Sequence, residues 1–208
     1  GGGTGFMLTQ LQTAGLGEGV ALVNLDGSAA QLQAACVPGI SMVRGSVEEF
    51  RRAAVIPPGR RALFLMRSVL HYAGEAGLAP LLRHLRTQAE PGEFWVHQTA
   101  CFARGPDADC LNALYRKMHT RKWYPPVAVL RSQLAAAGWP VESVLPAPAL
   151  GLESAELGLR YGLSAEELRG IAAEMAADFG PRNPVFHAVP GGFRADLHYC
   201  IFICRAAA

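Results

Sequence analysis

Apolar positions along the chain alternate between short continuous runs and wider, helix-spaced stripes. The runs at 20–25, 40–43, 62–66, 94–99, 141–145 and 197–205 have strand length. Between them, residues 6–14, 47–54, 78–89, 107–119 and 127–137 read as helices, and Ser28 is placed to cap another through Ala35. The clearest stripe is Leu78, Leu81, Leu82 and Leu85, which fall on one helical face. Turn chemistry punctuates the pattern. Glu90-Pro91-Gly92 stops a helix before a strand, Gly138 suits a helix C-terminus, and Pro146 and Pro148 are expected to break the chain. Ser164-Ala165-Glu166-Glu167 matches a capping box, and its helix should end at Gly180-Pro181. Strands alternating with helices imply parallel strands joined by crossover helices.

Composition narrows the class. A chain of 208 residues, half of them hydrophobic, suffices for one globular domain. The 19 Lys and Arg against 17 Asp and Glu leave a formal charge of +2, too small a bias to argue for nucleic acid or an anionic membrane. No apolar run approaches the roughly 18 residues of a membrane span. Cys36, Cys101, Cys110, Cys200 and Cys204 are odd in number and contain no C-x-x-C pair. That argues against a disulfide framework or a zinc site, so no metal and a reducing cytoplasm are expected. Cys200 and Cys204 share a strand face as core residues. The one basic run, 116–124, carries Trp123 and Tyr124. It reads as a solvated helix end, or as a lid whose two aromatic residues cover a small substrate.

Candidate chemistry gathers at the start. Gly1-Gly2-Gly3-Thr4-Gly5 is a G-x-G-x-G loop, and a strand about twenty residues later ends in Asp26. Glycines let backbone approach a ligand closely. An acid at the next strand end can accept hydrogen bonds from ribose hydroxyls. The dinucleotide spacing G-x-G-x-x-G fits neither register, which opposes a nicotinamide enzyme.

The loop, with Asp26-Gly27-Ser28, Gly45-Ser46-Val47, the stretch Met66-Arg67-Ser68-Val69-Leu70-His71-Tyr72, Pro91-Gly92 and Ala137-Gly138-Trp139, resembles the class I S-adenosylmethionine-dependent methyltransferases of small-molecule type. The resemblance covers roughly residues 1–145 and the last strand. It implies an α/β, Rossmann-like, mostly parallel sheet with helices on both faces, an antiparallel last strand, and one domain over 1–208 with 146–193 inserted before that strand. It further implies that the family's first strand is missing from this chain. The strands around Val23 and Phe64 should then either flank a gap or close up with distorted pairing, and these residues alone should bind cofactor poorly.

The implied cofactor is S-adenosyl-L-methionine, held by Gly1, Gly3, Thr4, Gly5, Asp26, Ser46, Val47 and Arg67. His71 is the candidate catalytic base, and His97, Trp123 and Tyr124 are candidates for the substrate pocket. Ser46 departs from the family, which often has an acid there, and Glu93 replaces a second glycine. Methyl transfer needs chiefly near-attack positioning, so neither the acceptor atom nor the need for a base is legible. The implied partner is a small molecule, with no nucleic acid or membrane. The alternative is a non-catalytic cofactor-binding or scaffold domain of the same fold. The oligomeric state is not encoded in any recognisable pattern.

Overall fold

The computed structural model describes residues 1–16, 19–34 and 37–208. The elements follow in chain order: α1 (Phe6–Thr13), β1 (Leu22–Asp26), α2 (Ala29–Ala34), β2 (Ile40–Arg44), α3 (Arg52–Val55), β3 (Leu63–Arg67), a 3₁₀ turn (Leu70–Ala73), α4 (Gly74–Thr87), β4 (Phe94–Ala100), α5 (Gly105–Lys117) and α6 (Val127–Ala136). Then come β5 (Val141–Glu153), α7 (Ser154–Tyr161), α8 (Ala165–Phe179), β6 (Arg182–Asn183), β7 (Phe186–Val189) and β8 (Gly192–Arg205). Ala35 and Cys36, where the helix after Ser28 was expected to end, lie outside the described residues.

Pairing is parallel in the first half. β1 pairs with β2, and β3 with β4. β8 then runs antiparallel to β4 along one edge and to β5 along the other, while β7 pairs with the first residues of β8 and with β6. The expected α/β sheet with an antiparallel final strand therefore forms, and parallel pairing is confined to the strands up to β4. Among the described residues β1 and β3 do not pair: β1–β2 is a separate two-stranded sheet. Leu22, Val23 and Leu25 of one sheet face Leu63, Phe64 and Leu65 of the other across a cavity of about 1470 Å³.

Alternation along β8 sends its side chains into two cores. Cys200, Phe202 and Cys204 point with Trp95 and Cys101 toward the leucine stripe of α4 and toward Leu130 and Leu134 of α6. Phe193, Ala195, Leu197 and Tyr199 point the other way, toward α5, α7 and α8. Helices thus cover both faces, as a sheet apolar on both sides requires. The capping box forms as expected: Ser164 Oγ accepts from the Glu167 N–H at 3.2 Å, and the Glu167 carboxylate accepts from the Ser164 N–H at 2.7 Å. Leu168, Ile171, Ala172 and Met175 of α8 enter the same core as Leu111 and Leu114 of α5. α8 thus shares its core with α5 and β8.

Two local expectations are corrected. The helix expected over 47–54 is only a turn at 46–50 followed by α3. Arg51 is extended, because the next backbone N–H, that of Arg52, is drawn to Gln88 Oε1 at 2.8 Å and cannot continue the turn. Pro146 and Pro148 do not end the strand. β5 runs through both to Glu153, with register shifts that include one between Ala147 and Leu150. It pairs only with β8, and on an edge strand a proline's missing N–H can face away from the ladder.

Candidate cofactor site at the glycine loop

The loop Gly1–Gly5 sits at the C-terminal end of β1. The Gly2 N–H donates to the Leu25 carbonyl at 2.8 Å, and the Gly5 N–H closes a turn on the Gly2 carbonyl at 3.1 Å. Gly3 (φ +56°) and Gly5 (φ +76°) adopt the left-handed conformation, which costs a residue with a Cβ roughly 1–2 kcal/mol. A Cβ on Gly2 would collide with the side chain of Asn24. That asparagine is buried within β1, and its Nδ2 donates to the Gly3 carbonyl at 3.0 Å. Gly5 then leads into α1.

Asp26 ties this loop to the next helix. Its Oδ2 accepts from the Gly3 N–H and its Oδ1 from the Ser28 N–H, each at 2.8 Å. Ser28 Oγ accepts from the Gln31 N–H at 3.3 Å, the capping role expected of it. A carboxylate with two oxygens and two backbone donors keeps acceptor capacity for a ligand hydroxyl.

Gly1, Gly3, Thr4, Gly5, Val47 and Arg67 line the cavity between β1 and β3; Asp26 is not among its lining residues. Arg67 stands exposed at the end of β3 with its guanidinium 5.5 Å from the Phe6 ring; among the described residues it has no ion pair. Ser46 lies just outside the cavity wall, and its hydroxyl accepts from the Glu48 N–H at 3.1 Å, so it serves as a turn cap.

The candidate substrate residues divide. His71, Trp123 and Tyr124 come together: the Trp123 N–H donates to the His71 carbonyl at 3.1 Å, and the His71 and Tyr124 rings are 5.3 Å apart. Tyr124 is nonetheless a core residue, its backbone clamped at both ends by the Asn112 amide at 2.8 and 2.9 Å. His97 stands apart from them. It is 0 % exposed, stacked on Phe202 at 5.0 Å, with Nδ1 2.6 Å from Thr99 Oγ1. The expected pocket position of His97 is therefore not found: it is buried against the Trp95 ring at 4.3 Å and is not among the residues lining the cavity, whereas its neighbour Gln98 is.

Sequence reasoning passed over Asn24, Gly2, Ser68 and Tyr199. Ser68 has φ +56° and holds its hydroxyl 3.4 Å from the Tyr199 hydroxyl, beside Gln98 on the cavity wall. For Asn24 a signal existed, a single polar residue inside an apolar strand. Nothing local marks Tyr199, which reaches the cavity through the pairing of β8 with β4.

Burial lowers His71 to about 3, with the Lys122 charge adding to the effect, and burial alone lowers His97 to about 3. A ring so weakly basic is a poor general base near neutrality. Both imidazoles are neutral when folded and titrate near 6.5 when unfolded. Their stabilising contribution is complete above that value and is lost as pH falls toward 3. Urea denaturation below pH 6.5 is expected to show stability falling by up to about 1.4 kcal/mol per pH unit per histidine. His97→Asn should flatten the slope; an unchanged slope would mean that His97 titrates freely.

No protein-family model matches the chain, and no curated protein matches it in sequence. Solved structures do match in fold. A candidate methyltransferase from Bacillus halodurans superposes with a TM-score of 0.71 at 14% identity, over 100% of this chain and 90% of that one. An S-adenosylmethionine-dependent methyltransferase from Mesorhizobium loti gives 0.56 at 16% identity, over 99% and 88%. LepI, solved in complex with S-adenosylmethionine, gives 0.60 at 11% identity, over 99% of this chain and 41% of that one. The fold of this chain is the Rossmann-like fold of class I methyltransferases. Among the described residues no helix is long and apolar enough to cross a membrane.

Proposed function

We propose that this chain binds S-adenosylmethionine at the glycine loop and promotes methyl transfer to a small-molecule acceptor. The observation that carries this reading is the clamp by which Asp26 holds the Gly3 N–H, and so the glycine loop that lines the cavity. The residues present fit the cofactor: Gly1, Gly3 and Gly5 line the cavity with no side chain of their own, and Asp26 keeps acceptor capacity beyond its two backbone donors. The similarity in fold to the Mesorhizobium loti enzyme and to the S-adenosylmethionine complex of LepI supports the same assignment.

The roles divide by chemistry. Asp26 takes the ribose hydroxyls, Val47 supplies an apolar wall for adenine, and Arg67 meets a carboxylate. The cofactor, when bound, supplies a methyl group already activated on a sulfonium, so the chain's task is to align and to exclude water. Ser68, Gln98 and Tyr199 offer hydroxyl and amide groups on the cavity wall to orient an acceptor.

The experiment is a calorimetric titration with S-adenosylhomocysteine. Asp26→Ala removes charge-assisted hydrogen bonds to the ribose and is expected to weaken binding by about 1.5–3 kcal/mol, roughly 10- to 150-fold. Equal affinity of the two proteins would remove Asp26 from the site.

A further inference from the structure

Lys122 lies between α5 and α6, and its surroundings are unusual for a lysine. Its ammonium is 4.7 Å from the centroid of the Tyr72 ring, 5.3 Å from Tyr161 and 5.8 Å from Tyr115. It donates to the Tyr161 hydroxyl at 2.8 Å. Among the described residues no carboxylate pairs with it. The three rings come from separate elements: Tyr72 from the 3₁₀ turn after β3, Tyr115 from α5 and Tyr161 from the last residue of α7. Tyr115, 2% exposed, forms the floor, and Tyr72, 65% exposed, forms an open outer wall. Tyr161 meets the cation through its hydroxyl, whereas the Tyr72 and Tyr115 rings supply the negative aromatic potential that recognises alkylammonium groups.

We infer that this tyrosine box is a subsite for the alkylammonium head of a small-molecule ligand, with Lys122 as its built-in plug. The inference rests on the proposed function for what the ligand is, an acceptor, and on the box alone for its charge. Location connects the two. The Tyr72 N–H donates to the Val69 carbonyl at 3.0 Å, and a Val69 methyl abuts Gly1 of the cofactor loop. The box therefore lies one turn from the loop, at the same end of β3. A protonated or quaternary nitrogen has no lone pair to receive a methyl group, so the caged nitrogen anchors the ligand and another of its atoms reacts. Lys122 can yield the box by rotating its flexible four-carbon stem, because no ion pair holds it.

The test uses tetramethylammonium chloride, titrated at constant ionic strength into the full chain and followed by the ring resonances of Tyr72 and Tyr161. In the wild-type chain the salt should shift both rings as it displaces Lys122. Lys122→Ala and Lys122→Gln, which unplug the box, should bind it about tenfold more tightly, and adding Tyr72→Ala to either should cancel that gain. The neutral isostere 3,3-dimethylbutanol should leave the rings unmoved. Ring shifts absent in the wild-type chain, equal binding of the neutral isostere, or no gain in either Lys122 variant would overturn the inference. S-adenosylhomocysteine affinity is measured on the same samples. Its loss with ammonium binding intact would refute the cofactor site and leave the box standing, and the reverse result would refute the box alone.

Discussion

Replacing Arg52 by methionine is expected to lower folding stability by about 3–5 kcal/mol, because it strands a buried carboxylate. The Glu93 side chain is 0% exposed and that of Arg52 19%. The guanidinium grips it with two bonds, Nη1 to Oε2 at 2.7 Å and Nη2 to Oε1 at 2.9 Å. The Ala62 and Glu90 N–H groups donate to the same carboxylate at 2.6 and 2.8 Å. Burial works against the charge on Glu93, yet these donors together hold its carboxyl below the ordinary 4.5. The guanidinium is correspondingly raised, chiefly by its hydrogen bonds to Glu93.

Since the folded carboxyl is the more acidic, its contribution is complete above pH 4.5 and disappears as pH falls through the lowered folded value. Arg52→Met should therefore lose most at neutral pH and converge on the wild-type chain in acid. Urea denaturation at pH 7 and at pH 3 measures both. A loss below about 1 kcal/mol at pH 7 would place the pair among exposed bridges of little consequence. The double change to Arg52→Met and Glu93→Gln should recover part of the loss, since an amide oxygen can keep an N–H bond without a buried charge.

An extended apolar segment seated between β1 and β3 is expected to have a comparable effect in the opposite direction. Among the described residues the facing edges of these strands have no neighbouring strand, and leucine, valine and phenylalanine side chains line the cavity between them. A chain entering Gly1 from this cavity would run parallel to β1, because the Gly2 N–H already pairs with the Leu25 carbonyl. Five β-branched residues placed ahead of Gly1 would bury side chains on both faces and satisfy both edges. Each backbone group so paired contributes about 0.5–1.5 kcal/mol, and the whole should raise stability by roughly 3 kcal/mol or more. Amide exchange at Val23 and Leu65 should slow in parallel, and S-adenosylhomocysteine should bind more tightly. Unchanged stability together with unchanged exchange would show that the cleft does not accept a strand.

What could be read from the sequence was what local chemistry determines. The leucine stripe of α4, the Ser164 capping box and the Ser28 cap each follow from spacing within a few residues. What escaped depends on partners far along the chain. α3 starts late because Gln88 and Glu93, some forty residues on, claim the backbone N–H and guanidinium of Arg52. His97 looked like a pocket residue because it ends a strand, yet the side to which it points is set by pairing with β8, about a hundred residues later. Glu93 looked like the mere loss of a family glycine. Its role is visible only with Arg52 beside it. Tyr199 and Ser68 meet across 131 positions, a distance no periodicity reports.

The division of the sheet bears on how the molecule opens. α1, α2 and α3 contain no fully buried side chain, and β1 and β2 add no residue to either main core. The glycine-loop layer is therefore fastened to the rest by the Arg52 grip and a few packed side chains, including Val47 and Phe50. Such a layer can detach at a free energy well below that of global unfolding. Its open population divides directly into apparent affinity, since only the closed fraction binds. A ligand that spans both sheets acts as a fastener, and at about 100 times its dissociation constant contributes roughly 2.7 kcal/mol to keeping them together. Cofactor affinity and the breathing of the first fifty residues are then one equilibrium seen from two sides.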